Sequence, residues 1–452
     1  MRRLTVALGL VALGVLALAP RKAAAVPSFV RQTGMTCAQC HVMFGAPVPN
    51  FTFTGKKFRM NGYRVPFVTE RIEAGQEGAL GGKRLNISLF PYISLRYQSV
   101  FATQSKAPGA LAAGPISSNP TSRLAIFTGG PVGDYFGLWT EMYLTPDGSA
   151  SNEWTLGLFS FDEYDLRYTR MKNNNVFGLA FNNQGIAEVS GFGPWSPGGS
   201  QLNRGGVNGW SHPNRGNFLA YAWLNDKLLV TGGASPGENN LDWKKVSYLG
   251  QVAYAIYNSD AKEAWVNVMF KAGNDGIPLA TNSVPANNRS WTYTNSVCGP
   301  AFTPGGVCAT GGVPTFVDAA GVSQIADYSR LTTELRYAFI DHGPHSMEVG
   351  ASFNTNTENY LTGDKLKQNS VFGRVRYVNN RTYGLDLTVG KNVTYQYNGA
   401  DIPSDMSYNS YLTFQPAMNM IVALSYGNTQ TFRLGADPLK GWNWGLNIDY
   451  LF

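Results

Sequence analysis

The sequence predicts an all-β transmembrane barrel of about 16 antiparallel strands, and three observations lead to this fold class. Only 14% of the 452 residues are charged, against about 25% in soluble domains, while aromatic residues reach 13% and glycines number 51. Apolar and polar residues alternate along many short segments. No apolar run long enough for a transmembrane helix follows the first 25 residues. Together these features are typical of a barrel in the bacterial outer membrane.

Residues 1–25 have the pattern of a secretory signal peptide. Two arginines precede an apolar stretch from Leu4 to Ala19, and Ala23 and Ala25 satisfy the small-residue cleavage rule. The alternative is an uncleaved anchor helix, for which the apolar stretch is short. Removing the four cationic residues of this segment lowers the formal charge from +7 to +3. The high isoelectric point therefore gives no reason to expect a nucleic-acid partner.

The segment CAQCH, residues 37–41, has the attachment pattern of a c-type haem. In that pattern Cys37 and Cys40 each add to one haem vinyl group, and His41 becomes the proximal ligand of the iron. Two alternatives fit less well. A redox disulfide would be expected beside a βαβ pattern, and a zinc site needs a second ligand pair nearby. We therefore expect one c-type haem, carried by a small domain over residues 26–80.

The distal ligand of this haem iron is less clearly marked. Met35 and Met43 flank the attachment segment closely, whereas Met60 is far enough along the chain to fold back over the haem. We take Met60 as the distal ligand, and the alternative is that it only packs against the haem edge. His342 and His345 are more distant candidates.

Four basic residues lie close to Met60, namely Lys56, Lys57, Arg59 and Arg64. They have three alternative partners: haem propionates, carboxylates of a barrel lumen, or solvent. A domain of this size cannot build a strong core alone. We therefore expect it to sit in, or against, the periplasmic mouth of the barrel, where the wall supplies apolar contacts.

Residues 81–452 are predicted to form the barrel. The alternation places strands at about 85–100, 121–129, 135–144, 154–169, 175–182, 217–225, 227–234, 246–257, 263–271, 328–340, 345–353, 368–378, 382–391, 407–415, 418–426 and 442–452. Short linkers alternate with long ones, as periplasmic turns alternate with outer loops in bacterial barrels. With an even strand count, both chain ends lie in the periplasm. Apolar side chains should face lipid and polar ones a wet lumen.

The last segment, GWNWGLNIDYLF, is the clearest strand. Aromatic and aliphatic side chains occupy every second position up to the terminal Phe452, as in a strand that closes an outer-membrane barrel. The alternative is an amphipathic strand of a soluble sandwich. Elsewhere, Cys298 and Cys308 flank a Gly/Pro-rich stretch and are predicted to form a loop disulfide in an oxidising compartment.

The run VPSFVRQTGMTCAQCH, followed by FTGKKFRMNGY, resembles the amino-terminal signature of the fused monohaem cytochrome–porins of the outer membrane. The matching residues are Pro27, Phe29, Arg31, Gln32, Thr33, Gly34, Phe58, Gly62 and Tyr63. The resemblance implies Fe(II) as electron donor at the cell surface and a periplasmic c-type cytochrome as acceptor. It implies a haem domain at the periplasmic side of, or inside, the barrel.

One departure from that family concerns the substrate. The segment FTFTGKKF lacks the Phe-Gly-Arg of the iron-oxidising type. The alternatives are therefore a cytochrome–porin for another electron donor or acceptor, and a passive porin with a haem-bearing plug. No spacing singles out a carboxylate that guides iron, and Glu163, Asp165 and Glu334 are equivalent candidates on lumen-facing positions.

Overall fold

The structure is a computed structural model of the chain. It describes residues 29, 33, 35, 37–41, 51–64, 79–80, 87–88, 93–144, 155–156, 159–182, 217–237, 242–274, 292–293, 316–317, 325–340, 345–360, 365–380, 382–417, 420–433 and 436–451. The predicted signal peptide therefore lies outside the described residues. No helix in these ranges is long and apolar enough to cross a membrane.

Sixteen antiparallel strands within the described ranges close into one barrel. They are β1 (Ile93–Lys106), β2 (Ser117–Val132), β3 (Phe136–Leu144), β4 (Phe159–Lys172), β5 (Asn175–Asn182), β6 (Asn217–Leu224), β7 (Leu228–Gly237), β8 (Asp242–Asn258), β9 (Lys262–Gly273), β10 (Ile325–Ile340), β11 (His345–Tyr360), β12 (Lys365–Asn379), β13 (Tyr383–Tyr397), β14 (Ser407–Ala417), β15 (Met420–Arg433) and β16 (Ala436–Leu451). Two-residue strands at Thr155–Leu156 and Ala400–Asp401 add to the same sheet. The predicted strand number is confirmed.

Closure between β16 and β1 corrects the predicted start of the barrel. Leu451, the last residue of β16, pairs with Arg96, and β1 begins at Ile93 instead of residue 85. Ile87 and Ser88, which the alternation placed in the first barrel strand, instead pair with Ala79–Leu80 in a separate two-stranded sheet. Where β16 meets β1, the Nε and Nη2 atoms of Arg96 donate to the Asp449 carboxylate, and Nη2 lies 2.5 Å from Oδ2.

The strands have the two faces that a membrane barrel requires. On β10, Leu331, Leu335 and Phe339 point outward with 41%, 56% and 43% of their surface exposed. Their neighbours Glu334 and Arg336 point inward and are buried. Lipid offers no hydrogen bonds, so a closed ladder satisfies the backbone while the apolar side chains face the membrane.

One end of the barrel, called the short-turn end below, has only short connections between the described strands. Those at 133–135, 173–174, 225–227, 259–261 and 380–382 hold two or three residues each, whereas the opposite end combines short connections at 361–364 and 434–435 with long ones at 107–116, 183–216 and 274–324. Asn225 and Asp226 both have positive φ, 50° and 58°, which is the conformation of the hairpin turns that match strand twist. Asn173 and Asn380 take the same region in their turns. In bacterial barrels short turns mark the periplasmic end.

The lumen differs from the wet interior that the alternation predicts. On β5 to β9, eleven buried apolar side chains point inward and form one hydrophobic core, beside buried polar ones such as Gln251, Asn267 and Lys271. Its barrel members are Val176, Ala180, Leu219, Tyr221, Trp223, Leu229, Leu249, Ala253, Ala255, Trp265 and Met269. The polar and ion-paired inward side chains lie mainly on β9 to β13, for example Arg330 with Glu358 at 3.0 Å. The lumen therefore has two different sides. The side with the apolar cluster on β5 to β9 is called the dry wall below, and the side with the ion pairs on β9 to β13 is the charged wall.

The outward face of β10 gives a direct test of the barrel assignment. Leu335→Arg places a cation against lipid, and we expect it to lower the free energy of unfolding in lipid vesicles by about 2–4 kcal/mol. Leu111→Arg, at a fully exposed position between β1 and β2, is the matched control and should have little effect. Equal, small effects of the two substitutions in urea titrations contradict a lipid-facing β10.

Candidate functional site

A short helix lies inside the barrel at its short-turn end. Helix α1 spans Cys37–Cys40 and helix α2 spans Phe53–Met60. Thr52 caps α2, because its hydroxyl accepts a hydrogen bond from the Gly55 amide at 3.1 Å. The contacts of α2 with the wall go to β4, β6 and β9 and to the short turns at 225–227 and 259–261.

The carboxyl end of α2 is fixed by a Schellman motif. The Tyr63 amide donates to the Phe58 carbonyl at 2.9 Å, and the Gly62 amide donates to the Arg59 carbonyl at 3.1 Å. Gly62 occupies the left-handed position of this motif with φ 64°, where a side chain is disfavoured. The Gly-Tyr pair noted in the sequence therefore ends the helix and turns Tyr63 toward the wall.

Two lysines of α2 pair with carboxylates of the barrel. Lys56 and Glu263 are both wholly buried, and the Lys56 ammonium donates directly to the Glu263 carboxylate. Lys57 Nζ lies 3.0 Å from Asp226, in the turn between β6 and β7. At the amino end, the Thr54 amide and hydroxyl donate to Asp260 at 3.0 and 2.8 Å. The helix is thus held at three separate points of the short-turn end.

Burial is the main influence on the pKa of Lys56. Loss of solvent lowers the pKa of Lys56 from its ordinary value of 10.5 to about 8, although the Glu263 carboxylate opposes this change. Glu263 also accepts from the Trp265 indole at 3.2 Å and lies 3.6 Å from Arg336. The carboxylate therefore has partners in the wall besides Lys56, and the Lys56 ammonium also lies over the Trp265 ring, 5.3 Å from its centre.

Asp165 on β4 is the centre of a fourth contact. It is wholly buried and accepts from Arg167, with Nη2 at 2.6 Å and Nε at 2.9 Å. The Tyr63 hydroxyl donates to it at 2.7 Å, and Arg59 Nη2 lies 3.7 Å away. Burial, aided by the Asp165 charge, raises the pKa of Tyr63 well above its ordinary range, so this hydroxyl stays protonated and donates.

The apolar side of α2 packs on the dry wall of the lumen. The Phe53 ring meets Trp223 edge-on, with centroids 5.7 Å apart. Met60 is wholly buried in the hydrophobic core, and its carbonyl accepts from the Tyr221 hydroxyl at 2.8 Å. Arg167 Nη1 donates to the Met60 sulfur at 3.5 Å. The structure thus places Met60 against the wall, and its role as distal haem ligand stays a prediction.

The chain after α2 touches the barrel backbone. A side chain at Gly137 on β3 would place its Cβ 2.7 Å from the Gly62 Cα, which no real Cβ tolerates. Arg64 then donates to the Gly133 carbonyl at 2.8 Å and to the Phe136 carbonyl. Close approach of two backbones therefore requires glycine on the wall.

The CAQCH segment is tied to α2. The Thr52 amide donates to the Cys40 carbonyl at 3.0 Å, and the Thr52 hydroxyl to the Gln39 carbonyl at 2.5 Å. His41 forms an antiparallel bridge with Phe51, and their rings lie 5.0 Å apart. Helical spacing puts positions 37 and 40 on one face of α1, directly before His41. This donor set fits a c-type haem.

The structure gives partners for the four basic residues near Met60. Lys56, Lys57 and Arg59 meet lumen carboxylates, as one of the three alternatives predicts. Arg64 instead binds backbone carbonyls. Asp165, considered in the sequence as a guide for iron, is an anchor for the docked helix. Across the described ranges, no group of three or more His, Cys, Asp or Glu side chains forms a candidate metal site.

The remaining candidates divide into two groups. His345 starts β11, and its Nδ1 lies 2.6 Å from the hydroxyl of Tyr377, which is 37% exposed. Both residues occupy outward positions on the strands, so the structure gives no support to His345 as an axial ligand. Met43, His342, Cys298 and Cys308 lie outside the described residues, and the disulfide therefore stays a prediction.

Comparison with known proteins gives only distant likenesses to solved structures. No protein family and no curated protein matches the sequence. Among solved structures, OmpT of Vibrio cholerae is 11% identical with TM-score 0.46, over 80% of this chain and 97% of its own. OprB of Pseudomonas putida is 11% identical with TM-score 0.46, over 80% and 94%. The outer membrane channel DcaP of Acinetobacter baumannii is 12% identical with TM-score 0.44, over 80% and 96%.

The fold and the site define the class of the protein. It is a closed antiparallel β-barrel of sixteen long strands with an apolar, membrane-facing outer surface, and an amino-terminal helix is docked inside its short-turn end. This assignment rests on strand closure, on the two faces of the strands and on the contacts of α2.

Gly137→Ala tests the close approach at Gly62. The new Cβ meets backbone that cannot move alone, and such overpacking costs about 1–3 kcal/mol. We expect amide exchange of residues 51–64, measured by mass spectrometry, to be about fivefold to a hundredfold faster. Gly350→Ala is the control on another lumen-facing position, since its Cβ would have ordinary contact at 3.5 Å. Unchanged exchange in Gly137→Ala contradicts the docked position.

The buried pair of Lys56 and Glu263 predicts unequal effects of its two truncations. Glu263→Gln removes the carboxylate to which the buried Lys56 cation donates, and we expect a loss of about 3–5 kcal/mol in docking free energy. Lys56→Met leaves Glu263 with Arg336 and Trp265, and we expect a much smaller loss. The measurement is again amide exchange of residues 51–64.

The pH dependence of the same docking follows from the lowered pKa of Lys56. Between about pH 8 and 10.5 the undocked lysine holds a proton that the docked lysine has lost, so docking becomes more favourable as pH rises. Lys56→Met should remove this rise. Equal losses for the two truncations, or a rise that persists in Lys56→Met, would falsify this assignment of the pair.

Proposed function

We propose that the protein is an outer-membrane cytochrome–porin that oxidises Fe(II) at the cell surface and passes the electrons to a periplasmic c-type cytochrome. The single observation that carries the proposal is the CAQCH segment tied to a helix that is docked at the short-turn end of a closed barrel. Short turns are periplasmic in bacterial barrels, so the haem would be held on the periplasmic side.

The residues that would hold the haem are Cys37 and Cys40, through thioethers, and His41 as the proximal ligand. When bound, the haem supplies a one-electron redox centre whose potential depends on its ligands and on nearby charges. The role of α2 is to fix this segment relative to the wall. Thr52 joins the two helices, while Lys56 and Lys57 join α2 to the barrel.

The barrel solves a problem of access. The hydrocarbon layer is about 30 Å thick, and one redox centre at its inner end cannot exchange electrons with a donor outside. A soluble donor such as Fe²⁺ must therefore enter the lumen, where it gives up one electron that a periplasmic cytochrome accepts. In this proposal the docked segment and its haem obstruct the inner end, and the insoluble Fe³⁺ product stays out of the periplasm.

Two other functions are compatible with parts of this arrangement. The absence of Phe-Gly-Arg in FTFTGKKF favours a cytochrome–porin with another electron donor or acceptor. The closed barrel alone favours a passive porin with a haem-bearing plug. Against an open pore, inward side chains of β10 are nearly inaccessible, with Thr332 1% and Glu334 2% exposed. We therefore place the electron-transfer function first.

Spectra of the purified protein separate the three functions. We expect Fe²⁺, added without oxygen to the oxidised full-length protein, to produce the reduced Soret and α bands, because Fe²⁺ is the proposed donor. Cys40→Ala should lose these bands or weaken them strongly, since one thioether is removed. Reduction by dithionite but not by Fe²⁺ excludes Fe(II) oxidation and leaves another donor. Ion conductance of liposomes with the intact protein indicates a passive porin.

A further inference from the structure

A continuous line of contacts joins the barrel wall to His41. It begins at Asp165 on β4, which lies 3.7 Å from Arg59 Nη2 on α2. The Arg59 guanidinium carbon lies over the Phe51 ring, 5.3 Å from its centre. The Phe51 ring in turn lies 5.0 Å from the His41 ring. Four side chains thus connect a membrane strand with the residue that follows the CAQC helix.

The wall end of this line is rigid. Asp165 is wholly buried, and its oxygens are already held by Arg167 and by the Tyr63 hydroxyl at 2.7 Å. A carboxylate with these partners cannot move to follow Arg59. The position of Arg59 is therefore set by the barrel, and not by α2 alone.

The His41 end is also constrained. The backbones of His41 and Phe51 pair as an antiparallel bridge, so the two rings are neighbours by register. Only 12% of the Arg59 side chain is exposed, and a cation held over an aromatic face with little solvent interacts strongly with it. Arg59 thus holds Phe51, and Phe51 limits the orientations that the His41 ring can take.

We infer that Arg59, anchored to the barrel by Asp165, is a positioning residue that orients His41 through Phe51 and sets the reduction potential of the haem that His41 ligates. The inference rests on the proposed function, because it assumes a haem on Cys37, Cys40 and His41. Charges and contacts in the shell around a metal ligand are known to tune its potential.

Electrostatics fixes the direction of each effect. Oxidised haem iron carries one more positive charge than reduced iron, so a nearby cation disfavours the oxidised state and raises the potential. Removing the Arg59 charge should therefore lower the potential. Removing the Asp165 charge leaves Arg59 less compensated and should raise it. A merely structural role would not give shifts of opposite sign.

The test is a spectroelectrochemical titration of the full-length haem protein in detergent or lipid. The variants are Arg59→Gln, Arg59→Lys and Asp165→Asn, and the control is Lys57→Gln. Lys57 loses the same charge on the same helix, but it pairs with Asp226 and lies over Phe53 instead of Phe51. We expect a lower potential for Arg59→Gln, a higher one for Asp165→Asn, and smaller changes for Arg59→Lys and Lys57→Gln.

The outcomes separate the inference from the proposed function. A coloured wild type whose Arg59→Gln variant keeps its potential and Soret band overturns the inference alone. Equal shifts in Arg59→Gln and Lys57→Gln overturn it too, since they show only a general charge effect. If Asp165→Asn does not fold, the comparison of Arg59→Gln with Arg59→Lys and Lys57→Gln decides. A wild type without haem, made with working haem-attachment machinery, overturns the proposed function and the inference together.

Discussion

The arrangement depends on one constraint: charges taken out of water inside the barrel must be paired. Lys56, Lys57 and Arg59 lie within four positions of one short helix, yet their carboxylates come from β9, from the turn before β7 and from β4. A buried cation without its carboxylate is costly, so only an orientation that satisfies all three is stable. Charge pairing therefore fixes how α2 is rotated, while Phe53 and Met60 fix its contact with the dry wall.

The helix and the barrel support each other. Residues 26–80 are too few for an independent core, and the inward apolar surface of β5 to β9 would face water in an empty barrel. When Phe53 and Met60 pack on part of that surface, the short segment gains apolar contacts and the wall loses part of its exposure to water. The backbone approach at Gly62 and Gly137 and the hydrogen bonds of Arg64 extend the contact to β3. The CAQCH segment, tied to α2 through Thr52, is then held relative to the membrane.

Much of the fold follows from local patterns. Period-two alternation gave sixteen strands because lipid and lumen impose opposite polarity on alternate positions, and Asn-rich turns marked their ends. The dry wall was not foreseen, although a signal was present: NVFGLAFN and NFLAYAWL are apolar on both faces, as expected for strands covered on both sides. The start of β1 was missed because alternation does not reveal where the partner strand ends.

The site was predictable only in part. CAQCH and the basic cluster are local motifs, and lumen carboxylates were one of three alternative partners for the cluster. The identity of those carboxylates could not be predicted, since Lys56 meets Glu263 and Arg59 meets Asp165 from distant parts of the chain. Such contacts depend on which strands come together on closure. The place of Met60 against Arg167 depends on the same closure.

Zero-length cross-linking tests the docked helix most directly. Lys57 Nζ lies 3.0 Å from Asp226, and the exposed pair of Lys440 and Asp405, at 2.7 Å, is an internal standard. Carbodiimide treatment of membranes, followed by peptide mass spectrometry, should link Lys57 to Asp226. Protein that links Lys440 to Asp405 but not Lys57 to Asp226, and in which an amine reagent labels Lys57 as fast as Lys440, would contradict a helix inside the barrel.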